Sequence, residues 1–219
     1  GFTLCKGNIM AGNPDLCLSR AEWARRFAAF IREATPENLL ASSIYFDLRA
    51  VWGDDSGCQQ LRRGILEQVA DNRLFQRMMA DNALRHRPPV GRFREFVLER
   101  KGSEKATLDL KVQGLTPFVD GARLLALAHG VEANNTLERL RHLVTQGVIE
   151  PLDGAAYEEA YHFIQQTRMQ QHQLQTRENR PYSNRVDPDS LNQLDRRILR
   201  EALRQAQRLQ SSLALRYQL

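Results

Sequence analysis

Apolar residues recur at three- and four-residue steps along most of this 219-residue chain, and helix-opening and helix-closing signals bracket nearly every run. Such a pattern commits the chain to amphipathic helices, each of which must bury one stripe. Ser19 and Glu22 form a capping-box pair ahead of Trp23, Phe27, Phe30 and Ile31. Thr35-Pro36 opens a second segment, because proline suits a first helical position. Residues 57–70 carry Leu61, Ile65 and Val69, and residues 73–85 carry Leu74, Met78 and Leu84 before Pro88-Pro89 stops them. Residues 117–129 form a helix closed by Gly130 as a left-handed terminal residue. Asn135 and Glu138 cap the stripe Leu137, Leu140 and Val144, which ends at Gly147. Residues 153–175 place Tyr157, Tyr161, Ile164 and Leu174 on one side. A last helix begins at Asp187-Pro188 and shows Leu191, Leu194, Ile198, Ala202, Leu209 and Leu213.

The remaining stretches read differently. Residues 1–18 are rich in Gly and Asn and suggest a strand remnant followed by a loop. Residues 39–51 are ambiguous, since Ile44, Phe46 and Leu48 alternate like a strand while Leu40, Ser43, Asp47 and Val51 follow a helical step. Residues 93–100 and 107–112 flank the turn KGSEK and predict a small β-hairpin. The polar stretch 176–186 reads as a mobile loop. The expected fold is mainly α. The last four helices are joined by short connections, so they should pack as a four-helix bundle.

Composition narrows the chemistry. Hydrophobic residues make up 42% and charged residues 26%, as in an ordinary globular protein. The net charge of +5 is compatible with a phosphate-bearing partner but is a weak footprint for nucleic acid. Three widely spaced cysteines, Cys5, Cys17 and Cys58, give neither a disulfide framework nor a C-x-x-C zinc motif. A reducing, cytoplasmic setting fits that usage. The five histidines lack the i, i+4 spacing of a helical metal pair. No run approaches the roughly 18 apolar residues of a membrane span.

Polar groups gather in a few places. At the junction from the extended run into the helix at Thr116 stand Asp109, Lys111, Asp120 and Arg123. Lys111 offers a point charge to a phosphate, and Arg123 offers two parallel donors. The three-residue step from Asp120 to Arg123 equally describes an intrahelical ion pair. Asn82, Arg85, His86 and Arg87 cluster at a helix C-terminus, where cations complement the helix dipole. The arginines of the last helix form a basic face diluted by Asp195 and Glu201. Asp187-Pro188-Asp189 has D-x-D spacing but reads as a helix opening. Two alternatives remain open from the residues alone. Residues 134–151 loosely follow a winged-helix recognition helix, with Thr136, Arg139 and Arg141 facing DNA. The last helix could instead pair with a copy of itself in a dimer.

Five segments together resemble a known family: NIMAGNPD (8–15), IYFDLRAVWGD (44–54), NALRHRPPVG (82–91), the block 108–130, and DRRILREALRQAQRLQ near the C-terminus. They are similar to the C-terminal region of bacterial nucleotidyltransferases related to PII-protein uridylyltransferase, which usually follow cyclic-nucleotide-binding or CBS modules. The resemblance implies that residues 1–54 are the trailing part of a nucleotidyltransferase domain and residues 55–219 a helical substrate-binding domain. It also singles out Asp47, Arg49 and Asp54 as the family's F-D-L-R…G-D pattern. Asp47, Arg49, Lys111, Asp120 and Arg123 are therefore the candidate substrate-binding residues. The superfamily holds magnesium with a Gly-Ser motif and an acidic D-x-D strand, and that combination does not occur here. Gly102-Ser103 is followed by Glu104 within the expected hairpin turn. The resemblance thus places the metal-binding strand before Gly1, and the expectation is that this chain alone transfers no nucleotide. Magnesium and a nucleoside triphosphate are expected for the intact enzyme, with a protein or small-molecule acceptor and preceding regulatory domains as partners. No cofactor is expected within this chain.

Overall fold

The computed structural model describes residues 7–10, 12–91, 96 and 106–219, and these are mainly α. In chain order, α1 spans Arg20–Arg32, α2 Pro36–Tyr45, α3 Ser56–Asp71 and α4 Arg73–Ala83. Strand β1 (Leu108–Asp109) leads through a π-helical turn, Leu110–Leu115, into α5, Thr116–Ala128. Then follow α6 (Thr136–Thr145), α7 (Pro151–Arg177), β2 (Arg185–Val186) and α8 (Gln193–Tyr217).

The caps act as the residues dictate. Ser19 and Glu22 close a reciprocal capping box on α1. Thr35 accepts from the Asn38 N–H at the start of α2, and Asn135 accepts from Leu137 and Glu138 at the start of α6. Gly130 and Gly147 sit at φ +69° and +70°, where an L side chain would be strained. The ambiguous segment resolves as helix up to Tyr45, followed by a turn and an exposed loop.

Helix α5 is the hub. Nine of its 13 residues are buried, from Pro117 to Leu127, so it is apolar nearly all round. It packs against α3, α4, α6, α8 and the π-helical turn, while α7 lies along α8 and α1 along α3. One continuous apolar core runs from Phe27 to Tyr217. Close approach at the hub needs glycine. A Cβ on Gly121 would meet Leu209 at 3.0 Å and Leu213 at 3.3 Å, and one on Gly114 would meet Ile164 at 3.0 Å.

Several expectations shift. The first arm of the predicted hairpin, residues 93–100, and its KGSEK turn lie almost wholly outside the described residues, which include only Phe96, bridged to Val90. Of the second arm, only Leu108–Asp109 is a strand, and it pairs antiparallel with Arg185–Val186. The chain then coils because Asp109 accepts from both the Lys111 and Val112 N–H groups. The stretch 176–186 is not all loop: α7 continues to Arg177 and β2 begins at Arg185. Gln175 exchanges two hydrogen bonds with the Ser183 backbone, and Arg168 donates to Asn184 at 2.6 Å. Asp187-Pro188 opens a short 3-10 turn, and α8 proper starts at Gln193 under an Asn192 cap.

The buried face of α4 is one residue off the expected stripe. Leu74 is 66% exposed, whereas Phe75 is fully buried. Leu74/Met78 and Phe75/Met79 are both apolar pairs at i, i+4, so periodicity alone cannot choose between them. The aromatic contact between Phe46 and Phe75 shows which face the core took. In α8, Leu194 is likewise exposed, while Leu199, Leu203 and Leu213 are fully buried. No helix of the described residues is long and apolar enough to cross a membrane.

This register has a direct check. Phe75→Ala should lower the free energy of unfolding by about 4 kcal/mol, and Leu74→Ala should change it by about 0.5 kcal/mol or less. Urea unfolding of the two variants measures both, and the reverse ranking would show that α4 faces the other way.

Candidate functional site

Helix α2 ends at Tyr45, the buried Phe46 caps it, and the next residue turns its carboxylate toward α5 and α6. That residue is Asp47. Its Oδ2 accepts from Arg123 Nη2 at 3.0 Å and from Arg123 Nε at 3.3 Å. Its Oδ1 accepts a short hydrogen bond from Arg139 on α6. Arg123 also donates from Nη1 to Asp120 at 2.9 Å, one turn back on α5. Arg139 donates from Nε to the Ala133 carbonyl at 2.8 Å. The Leu48 carbonyl is held twice, by Arg62 at 2.6 Å and by Asn134 at 3.0 Å. The turn after α2 is thus stitched to α3, α5, α6 and the connection preceding α6.

Both arginines lie inside the protein, with Arg123 8% and Arg139 3% exposed. A buried guanidinium is tolerable only when its charge is matched and its donors are satisfied. Burial pushes the Asp47 carboxyl up, but Arg123 and Arg139 together outweigh it and hold the group below the ordinary carboxylate range. Burial also dominates at Asp120, where it outweighs Arg123 and raises that carboxyl. Burial lowers Arg139 from the usual arginine value, and Asp47 opposes the shift.

Beside the cluster is a crevice lined by Leu39, Ser43, Met79, Asn82, Asp120 and Arg123, with a volume of about 10 Å³. That is room for about one water molecule.

Asp47, Asp120 and Arg123, expected from the sequence as site residues, therefore come together. Arg49 and Lys111 do not join them. Arg49 is exposed on the loop beyond Leu48, and Lys111 is exposed on the π-helical turn. Asp54 accepts from the Ser56 N–H and hydroxyl, which fixes the entry to α3. At the end of α4, Arg85 lies 3.9 Å from Asp81, and Gln210 donates to the Ala83 and His86 carbonyls, so that group closes a helix. On α8, Arg196, Arg204 and Arg208 pair with Asp189, Glu201 and Asp153.

Only the winged-helix alternative turned Arg139 toward DNA. The structure instead buries it together with Thr136, Leu140 and Leu143. The available signal was its register: residues 136, 139, 140 and 143 share one helical face, and an arginine in such a stripe must reach a carboxylate. Arg62 and Asn134 carried no comparable signal, since each acts on a backbone carbonyl distant in sequence.

The described residues do not fit a magnesium centre. No group of three or more His, Cys, Asp or Glu side chains among them could hold a metal ion, and Asp47 and Asp120 both face arginines.

The depressed pKa of Asp47 makes a stability prediction. The folded state holds this carboxylate charged to lower pH than the unfolded chain does, so its contribution is complete above the unfolded pKa and is lost as pH falls through the folded one. Asp120, shifted upward, works in the opposite sense. Comparison with Asp47→Asn isolates the first group. At pH 7 the substitution should lower unfolding free energy by about 3 kcal/mol, and the gap should close below about pH 4. Denaturant titrations at a series of pH values test this, and a gap that stays constant down to pH 2 would contradict it.

Comparison with known proteins matches residues 73–217 to the family described as "Putative nucleotidyltransferase substrate binding domain" and residues 1–37 to "Putative nucleotidyltransferase DUF294". Neither a curated protein nor a solved structure matches the chain. Arg123, Asp120 and Arg139 fall within the first match, while Asp47 falls in the stretch between the two. The first match covers well over half of the sequence, and the chain belongs to this family of nucleotidyltransferase substrate binding domains.

Proposed function

We propose that this chain presents an acceptor, a protein or a small molecule, to a nucleotidyl-transfer centre and helps to orient the triphosphate of the donor nucleotide. In the reaction an acceptor nucleophile attacks the α-phosphorus of a nucleoside triphosphate, and pyrophosphate leaves. The observation that carries the reading is the family match over residues 73–217, which contains both arginines of the buried cluster. Transfer of this type concentrates negative charge, and fixed guanidinium groups are the side chains best shaped to meet it. Helix α1, all of which lies in the transferase match, packs directly on α3 and joins the same apolar core.

The carboxylates that bind magnesium are proposed to come from transferase polypeptide outside these 219 residues, since the Gly-Ser and D-x-D combination is missing from the sequence. We extend the proposal, on the resemblance of the motifs, to a uridylyltransferase-like role in signal transduction, cytoplasmic and under preceding CBS or cyclic-nucleotide modules. The DNA-binding alternative loses support because Thr136 and Arg139 are buried. Arg141, the third residue of that reading, pairs with Glu158 at 2.9 Å.

Thermal unfolding tests the proposal. With each of the four nucleoside triphosphates and magnesium added to the 219-residue chain, at least one should raise Tm by about 5 °C at a hundredfold excess over its Kd. The chain alone should release no pyrophosphate. Unchanged Tm with all four, or pyrophosphate release by the purified chain, would overturn the reading.

A further inference from the structure

We propose that Arg123 and Arg139 form a phosphate cradle that Asp47 fills as an internal stand-in, so that the turn after α2 must swing out before a phosphate enters. The inference rests on the functional reading above and names the ligand chemistry of the same site. Two guanidinium groups converge on one carboxylate, an arrangement that also suits a phosphate.

Each arginine has a second anchor that does not depend on Asp47. Asp120 holds Arg123 Nη1, and the Ala133 carbonyl holds Arg139 Nε. If Asp47 withdrew, the two side chains would keep their aim. Arg123 Nε and Nη2 and Arg139 Nη2 would then face the vacated space. With Asp47 in place, two arginines meet two aspartates, and the cluster is neutral. Its departure leaves one net positive charge, which favours an anion. The Ser43 hydroxyl and the Asn82 amide line the neighbouring crevice. At about 10 Å³ that crevice takes no phosphate while Asp47 stays, so exchange rather than addition is required.

For Asp47 to leave, the turn must also let go of its other anchors. Two donors, Arg62 and Asn134, hold it by the Leu48 carbonyl. Beyond that point the chain is exposed from Arg49 to Asp55, with Val51 89% and Trp52 95% exposed. Gly53, at φ +80°, supplies a bend that other residues adopt with strain. Asp47 and this loop fall in the stretch matched by neither family model, between the transferase match and the substrate-binding match. A phosphate arriving at the cradle would therefore loosen the stretch between the two matches.

Inorganic pyrophosphate is the probe, used with the whole 219-residue chain. Asp47→Asn removes the competing charge with little change of shape and should bind pyrophosphate about tenfold more tightly than the unsubstituted chain. Hydrogen exchange on the unsubstituted protein needs no variant: saturating pyrophosphate should speed exchange of the Phe46 amide, which donates to the Ser42 carbonyl at the end of α2. Inorganic phosphate should compete, and a nucleoside without phosphate should not. Equal affinity in both proteins, unchanged exchange at Phe46, equal competition by the nucleoside, or no binding by either protein would each overturn the proposal. A nucleoside triphosphate that raises Tm while exchange at Phe46 stays unchanged would sink the cradle and leave the functional reading standing. No effect of any triphosphate would sink the reading as well.

Discussion

Two guanidinium groups lie inside a helical core, and each must meet a carboxylate to remain there. Asp47 meets both. It is contributed by neither of the helices that carry the arginines but by the turn after α2, so satisfying the charges also fixes where α1 and α2 sit against the bundle. Arg62 and Asn134 reinforce the same joint through one carbonyl. Local geometry and long-range assembly are thus a single problem, solved at a single residue.

Helix α5 makes this possible. A helix that is apolar on every side has to be surrounded, and α3, α4, α6 and α8 surround it. Asp120 and Arg123 are the charged exceptions on that helix, and the position of Arg123 next to the end of α2 decides where its charge can be answered. Gly121 and Gly114 let α8 and α7 approach closely, which tightens the bundle around the arginine pair. The frame that holds Arg123 and Arg139 is therefore closely packed, while the loop from Arg49 to Asp55 that follows the answering carboxylate is exposed. That contrast is what a site exchanging an internal anion for an external one requires.

Much of the architecture was legible in the sequence because capping and periodicity are local. Ser19-Glu22, Thr35-Pro36, Gly130 and Gly147 mark their helix ends as the residues dictate. What escaped depends on partners far away in the chain. The choice between Leu74 and Phe75 needed the Phe46 ring, and pairing of Leu108–Asp109 with Arg185–Val186 needed a segment more than seventy residues on. In the site, Asp120 and Arg123 were visible as an i, i+3 pair, and Asp47 was visible through the family motif. Their convergence was not visible, because it depends on a contact spanning 76 residues. Arg139 could be placed only by its register beside Leu140 and Leu143, because the carboxylate that answers it lies 92 residues away in the chain.

The central claim is that Asp47 and the buried arginines act as one coupled unit. A double-mutant cycle on Asp47→Asn and Arg139→Met, read by urea unfolding at neutral pH, measures that coupling most directly. The account predicts a coupling energy of about 2 kcal/mol, with the double variant losing much less than the sum of the single losses. Additive losses, agreeing to within about 0.3 kcal/mol, would show that the two residues stabilise the protein independently and that the joint at Asp47 does not exist as described.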